Sequence, residues 1–369
     1  MQRILHIVRK MDHGGVQSMI MNYYRNIDRK KIQFDFLELE SGQSFYADEI
    51  GLYGGHIFKL EGSGSHLKKF YLYCKFLTVN RPSAIHCHLN WLNAIFLFSS
   101  LIFLIPIRIS HSHNALLPAR GVDLIIKKIL RVVINTSSTH RFSCSTESAI
   151  WLYGAEVIYS NNYTLIRNAI DPVKFTYEDA SRELKRAELG IVNELVIGHI
   201  GHFNVQKNHT FILEIFKNLA NLNPNVVLVL VGTGDLFLDV SEMAKEYGIE
   251  RQVRFLGDRV DIPELFAAFD IFLFPSLHEG LPFVLLEAQA AGVPCVISDV
   301  ITREVAIGDG VFFIGLNEPA KTWASEIVSI DLKRRKGNLS SIYSYGYDIR
   351  AAAKELQANY MLAFSSLSN

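Results

Sequence analysis

The amino-acid sequence predicts an α/β protein of two Rossmann-like, doubly wound domains, each on a parallel sheet, with a ligand cleft between them. Three observations lead there. Short apolar runs alternate with helical patterns, the alternation restarts after Asp171–Pro172, and 369 residues exceed one hydrophobic core while suiting two ordinary domains.

The first series of strand-like runs is 3–9, 33–39, 56–60, 84–88, 107–111, 141–144 and 164–167. The second is 195–201, 226–231, 253–256, 271–274, 294–298 and 311–314. Most are continuously apolar and end at Gly, Pro, Asn or Asp, the pattern of parallel strands covered on both faces. Helical stretches such as 210–221 and 284–291 lie between them and complete βαβ units. The expected domains are 1–170 and 171–345, with a final helical segment, 346–369, crossing back to the first. Open sheets of this kind bind ligands beyond the carboxyl ends of their strands, so the site is sought in those loops.

Composition narrows the class. With 49% hydrophobic and 20% charged residues the chain is globular rather than disordered, and no short repeat suggests a solenoid or propeller. Cys74, Cys87, Cys144 and Cys295 are scattered, without metal-ligand spacing or a disulfide frame. Residues 4–8 open directly into an apolar run with no long signal-type core, so the expected location is the cytoplasm. Residues 91–109 approach the length of a membrane span, but Asn93, Ser99, Ser100 and Pro106 interrupt them. A buried helix followed by a core strand is expected there. The net charge of zero hides an asymmetry: residues 1–168 hold 19 Lys+Arg against 11 Asp+Glu, and the remainder 18 against 26. Basic clusters at Lys68, Lys69, Lys75 and at Lys127, Lys128, Arg131 lie among apolar residues at helical spacing. They read either as solvated faces or as a surface that rests on an anionic membrane.

The strongest motif runs from Pro275 to Glu287. A strand enters a turn in which Gly280 is expected to free the backbone and Pro282 to take the first helical position. A helix start there offers unpaired N–H groups and a positive dipole end to a phosphate. Glu287 lies about one and a half turns on, placed to accept two ribose hydroxyls, and Glu279 sits on the loop itself. The second motif, Gly201-His202-Phe203-Asn204-Val205-Gln206-Lys207, follows the first strand of the second domain. Gly201 allows close approach of a ligand, and Lys207 brings an ammonium toward a diphosphate.

Together these segments resemble glycosyltransferase family 4, retaining enzymes of the GT-B fold, and in particular bacterial members that build capsule or exopolysaccharide. The acid pair of the family's E-x₇-E signature is matched by Glu279 and Glu287, and its G-R-x₅-K-type loop by Gly201 and Lys207. Leu230-Val-Gly232-Thr-Gly234, Phe255-Leu-Gly257-Asp-Arg259 and residues 288–298 fit as well. In the first domain the matches are His13-Gly14-Gly15, His86-Cys87-His88, Ser112-His113-Asn114 and Arg167-Asn168-Ala169-Ile170-Asp171. The chain departs from the family at His202, where arginine is usual, at Asn168-Ala169 for Asn-Gly, and at Gln17 for glutamate.

The resemblance implies transfer of a sugar from a nucleotide-diphosphate donor, with a UDP-sugar favoured, to a growing, lipid-linked saccharide. It assigns Glu279, Lys207, His113 and His202 to catalysis. It assigns Gly14, Gly15, Gly201, Arg259, Val260, Gly280, Leu281, Phe283 and Glu287 to the donor, and His88 and Asn114 to the acceptor side. No D-x-D motif appears and the resemblance implies neither metal nor cofactor; the inner face of the cell membrane is a further expected partner, and nucleic acid is not. Two other readings stand beside it, a nucleotide-sugar epimerase of the same two-domain fold and a non-catalytic nucleotide-sugar-binding protein. An oxidoreductase is disfavoured, because the first turn, Met11-Asp12-His13-Gly14-Gly15, lacks G-x-G-x-x-G.

Overall fold

The computed structural model describes residues 1–12, 14–60, 66–114, 121–332, 337 and 339–367. It divides into two compact units, Met1–Ala169 with Gly346–Asn369, and Ile170–Tyr345.

The first unit carries strands β1 (Gln2–Val8), β2 (Ile32–Glu38), β3 (Ile57–Lys59), β4 (Ala84–Cys87), β5 (Ile107–Ser112), β6 (His140–Ser143) and β7 (Tyr163–Leu165). Their order in the sheet is β3-β2-β1-β4-β5-β6-β7, and every pair is parallel. The second unit carries β8 (Leu195–Ile200), β9 (Val226–Val231), β10 (Val253–Phe255), β11 (Ile271–Phe274), β12 (Cys295–Ser298) and β13 (Val311–Ile314). Their order is β10-β9-β8-β11-β12-β13, again all parallel. Because side chains on both sheet faces are covered by helices, strands such as β9, with sequence VVLVLV, are buried along their whole length.

Helices α1 (Gly15–Asn26), α2 (His66–Asn80), α3 (Asn93–Ile102) and α4 (Gly121–Ser137) belong to the first unit, and α5 (His209–Leu222) and α6 (Phe283–Ala290) to the second. The last helix, α7 (Ile349–Ser365), packs on α1, and Gln357 Oε1 accepts the Asp28 N–H at 2.9 Å. The core of the first unit gathers Ile7, Tyr73, Ile85 and Leu97; that of the second gathers Ile197, Phe216, Leu228, Leu273 and Trp323.

Each sheet reverses its winding once, between β1 and β4 in one unit and between β8 and β11 in the other. At such a point neighbouring strands send their following loops in opposite directions and leave a crevice at their carboxyl ends. Most of the candidate residues read from the sequence lie at these two places.

One expectation is corrected. Residues 91–109 form a helix and then a core strand, but the helix is not buried all round. Its polar residues point inward: Asn93, Ser99 and Ser100 are buried, and Ile95, Phe98 and Ile102, spaced for one face, are exposed. The inversion is inexpensive because the inward polar groups are satisfied. The Ser99 and Ser100 hydroxyls donate to the Ile95 and Phe96 carbonyls at 2.7 Å, and Asn93 Oδ1 accepts the Leu89 N–H at 2.8 Å. No helix among the described residues is long and apolar enough to cross a membrane.

Candidate active site

In the second unit the loops after β8 and β11 are sewn into one floor. Asn204 accepts the Lys207 N–H at 3.1 Å and caps a single tight turn, Val205–Lys207. Leu277 N–H donates to the Gln206 carbonyl at 2.9 Å, Gln206 Nε2 to the His278 carbonyl at 2.9 Å, and Asn208 Nδ2 to the Pro275 carbonyl at 3.1 Å. On this floor Lys207 Nζ donates to Glu279 Oε1 at 2.6 Å and stands 4.6 Å above the Phe274 ring. Glu279 is only 8% exposed, so the lysine is its counter-charge. A third loop supports the floor. Gly232, at φ +129°, lies so close that a Cβ would stand 2.3 Å from the Gly201 carbonyl oxygen. Gly201 itself has His199 Nε2 and Lys207 Cγ within 3.0 and 3.1 Å of the place a Cβ would take. A side chain at Gly201 would therefore press on His199 and Lys207, which would have to shift by a few tenths of an ångström.

Helix α6 leaves this floor with no side chain capping its start. The Leu285 N–H donates to the Pro282 carbonyl at 3.2 Å, while those of Phe283 and Val284, without an acceptor among the described residues, are open to an anion. Two expectations change in detail. Pro282 is the residue before the helix rather than its first, with φ −73° and ψ 125°, and Phe283 is first; the ring's fixed φ suits either position. Gly280 is buried but not among the glycines of positive φ, so no left-handed turn explains it. Leu281 is buried and Phe283 half-buried. Glu287, on the first half of α6, meets no cation among the described residues, and burial pushes its carboxyl up to about 7.

Arg259 and Val260 lie on the loop after β10. The Arg259 guanidinium is taken up by Asp261, at 2.6 and 2.7 Å, and by Glu188 at 2.9 Å, while Lys185 also binds Asp261 at 2.6 Å. Arg259 holds the Asp261 carboxyl well below the usual carboxylate range. The expected donor contact of Arg259 is thus spent on a lock within the protein, whereas Val260 beside it is 88% exposed. His202 is exposed, and no hydrogen bond to its ring exists among the described residues. Phe203 next to it is buried against His209, Phe237 and Phe255.

In the first unit, His13 lies outside the described residues. Gly14 precedes α1 in an extended conformation, φ 172°, and Gly15 is its first residue; a Cβ on Gly15 would meet nothing within 4 Å. Glu38, fully buried, braces the loop after β1 by accepting the Met11 N–H at 2.8 Å and the Ser44 hydroxyl at 2.6 and 2.7 Å.

The carboxyl ends of β1, β4 and β5 hold five buried histidines. His6 Nδ1 stands 2.9 Å from His88 Nε2, and His88 Nδ1 stands 2.8 Å from His113 Nε2. His86 Nε2 is 3.1 Å from His111 Nδ1, and its Nδ1 is 2.7 Å from the Tyr360 hydroxyl on α7. Burial pushes His6 and His113 down to about 3, and burial with mutual repulsion holds His86, His88 and His111 well below the usual value. All five rings are neutral at pH 7. Nitrogens of His6, His86 and His88, and of His88, His111 and His113, come within 4.8 Å of one another, the proximity a metal set needs. Six of the ten ring nitrogens are paired with one another at N–H···N spacing, His6 Nε2 and His111 Nε2 are buried without a partner, and both groups consist of imidazoles alone, without a carboxylate. Asn114 follows His113, half-buried. Of this cluster the motif reading had His86, His88 and His113. His111 was missed, although His111-Ser112-His113 repeats the H-x-H of His86-Cys87-His88, which puts alternate residues on one sheet face and is visible in the sequence, and His6, in no such pair, was missed as well.

The chain is similar to known proteins. Residues 181–330 match the family model described as glycosyl transferases group 1. A Bacillus subtilis (strain 168) protein named glycosyltransferase EpsF is 32% identical over 357 residues, covering 94% of this chain and 93% of that protein. An Escherichia coli UDP-Gal:alpha-D-GlcNAc-diphosphoundecaprenol alpha-1,3-galactosyltransferase is 36% identical over 162 residues, 42% of each chain. Among solved structures, Anabaena Alr3699/HepE in complex with UDP-glucose superposes with a TM-score of 0.75 over 100% of both chains. At 18% identity that likeness is one of fold, the two-domain GT-B fold.

Proposed function

The chain belongs to the group 1 glycosyl transferases, and on that premise we propose that it moves a sugar, with retention, from a UDP-sugar to a lipid-linked saccharide in capsule or exopolysaccharide synthesis. The observation that carries this reading is the grouping of Lys207, Glu279 and Glu287 around the uncapped start of α6 at a winding reversal. The E. coli relative, named for a UDP-Gal donor and a diphosphoundecaprenol acceptor, supports the choice of both substrates.

The donor's diphosphate lies at the α6 N–H groups and the Lys207 ammonium, its ribose hydroxyls donate to Glu287, and hydroxyls of the sugar donate to Glu279. As the anomeric bond to the diphosphate breaks, negative charge grows on the leaving oxygen and positive charge on the sugar ring. Donors already aimed at that oxygen stabilise it without reorganising. The acceptor hydroxyl forms its new bond on the same face, and the departing phosphate oxygen takes its proton. His113 stands at the reacting centre, with His88 and Asn114 on the acceptor side. Lys207 and the helix end supply the positive charge, so no metal is required.

The same reading places the enzyme on an anionic membrane. Ile95, Phe98 and Ile102 of α3 and Val122, Ile125, Ile129 and Val132 of α4 are exposed, as are Lys128 within α4 and Lys68 and Lys75 on α2. Apolar residues enter the headgroup region, and each lysine adds about 1 kcal/mol near anionic lipid.

The test offers UDP-sugars and an undecaprenyl-diphosphate-linked saccharide on anionic vesicles in excess EDTA, with NMR of the product. An α-linked product from an α-linked donor, formed at full rate, is expected. A β-linked product, or activity that needs Mg²⁺ or Mn²⁺, contradicts the proposal.

A further inference from the structure

Two lines of hydrogen-bonded rings run through the histidine cluster, and they differ in where they end. One joins His111 through His86 to Tyr360 on α7, inside the unit. The other joins His6 through His88 to His113, and the described residues give His113 Nδ1 no partner. At the far end His6 Nε2 is buried and also without a partner.

A neutral imidazole has one N–H donor and one bare acceptor nitrogen. In a line joined Nδ1 to Nε2 twice, the three tautomers are therefore locked together. If His6 Nδ1–H donates to His88, then His88 Nδ1–H donates to His113 Nε2, and His113 Nδ1 carries an outward N–H. If every bond runs the other way, His113 Nδ1 is a bare acceptor and the unpartnered His6 Nε2 carries the hydrogen.

The neighbours of His6 decide between the two. Beyond His88 its ring faces Phe34 and Phe36, which offer no lone pair, and His86, whose nitrogens are already engaged. A buried N–H without an acceptor is the rarer defect in folded proteins, and a bare acceptor the more tolerated one. We propose that His6 and His88 are positioning residues that fix His113 with its hydrogen on Nδ1, so that the ring offers an uncharged hydrogen-bond donor to an oxygen of the sugar or phosphate. This rests on the reading that His113 stands at the reacting centre. An uncharged donor suits a place where charge develops and then disperses, because it does not trap the product as an imidazolium would.

The experiment is a two-bond ¹H–¹⁵N correlation spectrum of the full chain with ¹⁵N-labelled histidine, assigned by single substitutions. The wild type should show His113 with its hydrogen on Nδ1 and a bare Nε2. His6→Leu, which removes the first donor, should shift the His113 signals toward the Nε2–H form. It should lower kcat by about tenfold with donor KM within about twofold, less than the 10²–10³ that losing a donor outright costs. His6→Asn, whose amide places an N–H near the original Nδ1, should restore both. A wild-type His113 with its hydrogen on Nε2, or a His113 spectrum unchanged in His6→Leu, overturns the proposal. The wild-type spectrum decides even where the variant fails to fold. It also reads the tautomer whether or not sugar transfer is found, so failure of this inference and failure of the proposed activity are distinguishable.

Discussion

At the strand ends of the second unit the site is charged: Lys207 and Glu279 are paired, and Glu287 has no counter-ion among the described residues. At the strand ends of the first unit five imidazoles are packed together and all are neutral. Both stand at a winding reversal of the same kind of sheet, so topology does not explain the difference. Under the proposed function the chemistry of the ligand does. A diphosphate and a ribose call for a cation, open N–H groups and a carboxylate, whereas saccharide hydroxyls need neutral donors and acceptors held in fixed directions. On that reading side-chain charge divides the work between the two sets of strand ends.

The most forceful way to break this comparison is Lys207→Ala. It removes a donor to the leaving diphosphate and leaves Glu279 buried without its partner. Transfer should fall by about 10²–10³ in kcat while donor KM changes less. A fall of only a few-fold would mean that the second unit does not depend on this charge.

Glu287→Gln sharpens the comparison through stability. Below pH 4.5 the Glu287 carboxyl is neutral in both folded and unfolded chains. Its folded value is raised to about 7, so the advantage of the neutral form is lost as pH rises through that value. Glutamine carries no such cost. The variant should be more stable than wild type by up to about 3 kcal/mol at pH 8 and little different at pH 4, by denaturant titration. A variant equally stable at both pH values would show that Glu287 is not strained in the folded protein.

The smallest effect is expected at His202, where the resemblance of the sequence implies an arginine. A guanidinium offers a diphosphate a planar fork of donors that an imidazole does not. His202→Arg should raise the transfer rate by a few-fold, and His202→Ala should lower it by no more than that. Rates unchanged in both variants would remove His202 from the charged site.

Much of this was legible in the sequence. The strand runs were readable because parallel strands covered on both faces are apolar without interruption, and β9 is the plainest case. The loop after β11 was readable because Glu279 and Glu287 bracket a helix start. What stayed hidden depended on partners distant in sequence. Lys207 and Glu279 were read as two separate ligand contacts, whereas positions 72 apart in sequence fold back to make an ion pair. Arg259 was read toward the donor, yet it binds Glu188 and Asp261. In α3 an apolar run was taken to face inward, and serine hydroxyls able to bond their own helix reversed it. His6 was invisible as a single residue and gained meaning only through the register that places it beside His86 and near His88.

The central claim is that the second unit binds the donor through Glu287, and calorimetric titration with UDP at pH 7 in buffers of different ionisation enthalpy tests it most directly. With a folded value of about 7, Glu287 is close to half protonated before binding. Ribose hydroxyls that donate to the carboxylate favour its charged form. Binding should therefore release up to about half a proton, and Glu287→Gln should abolish that release and weaken UDP about tenfold or more. Proton release and affinity that are the same in wild type and Glu287→Gln would contradict the account.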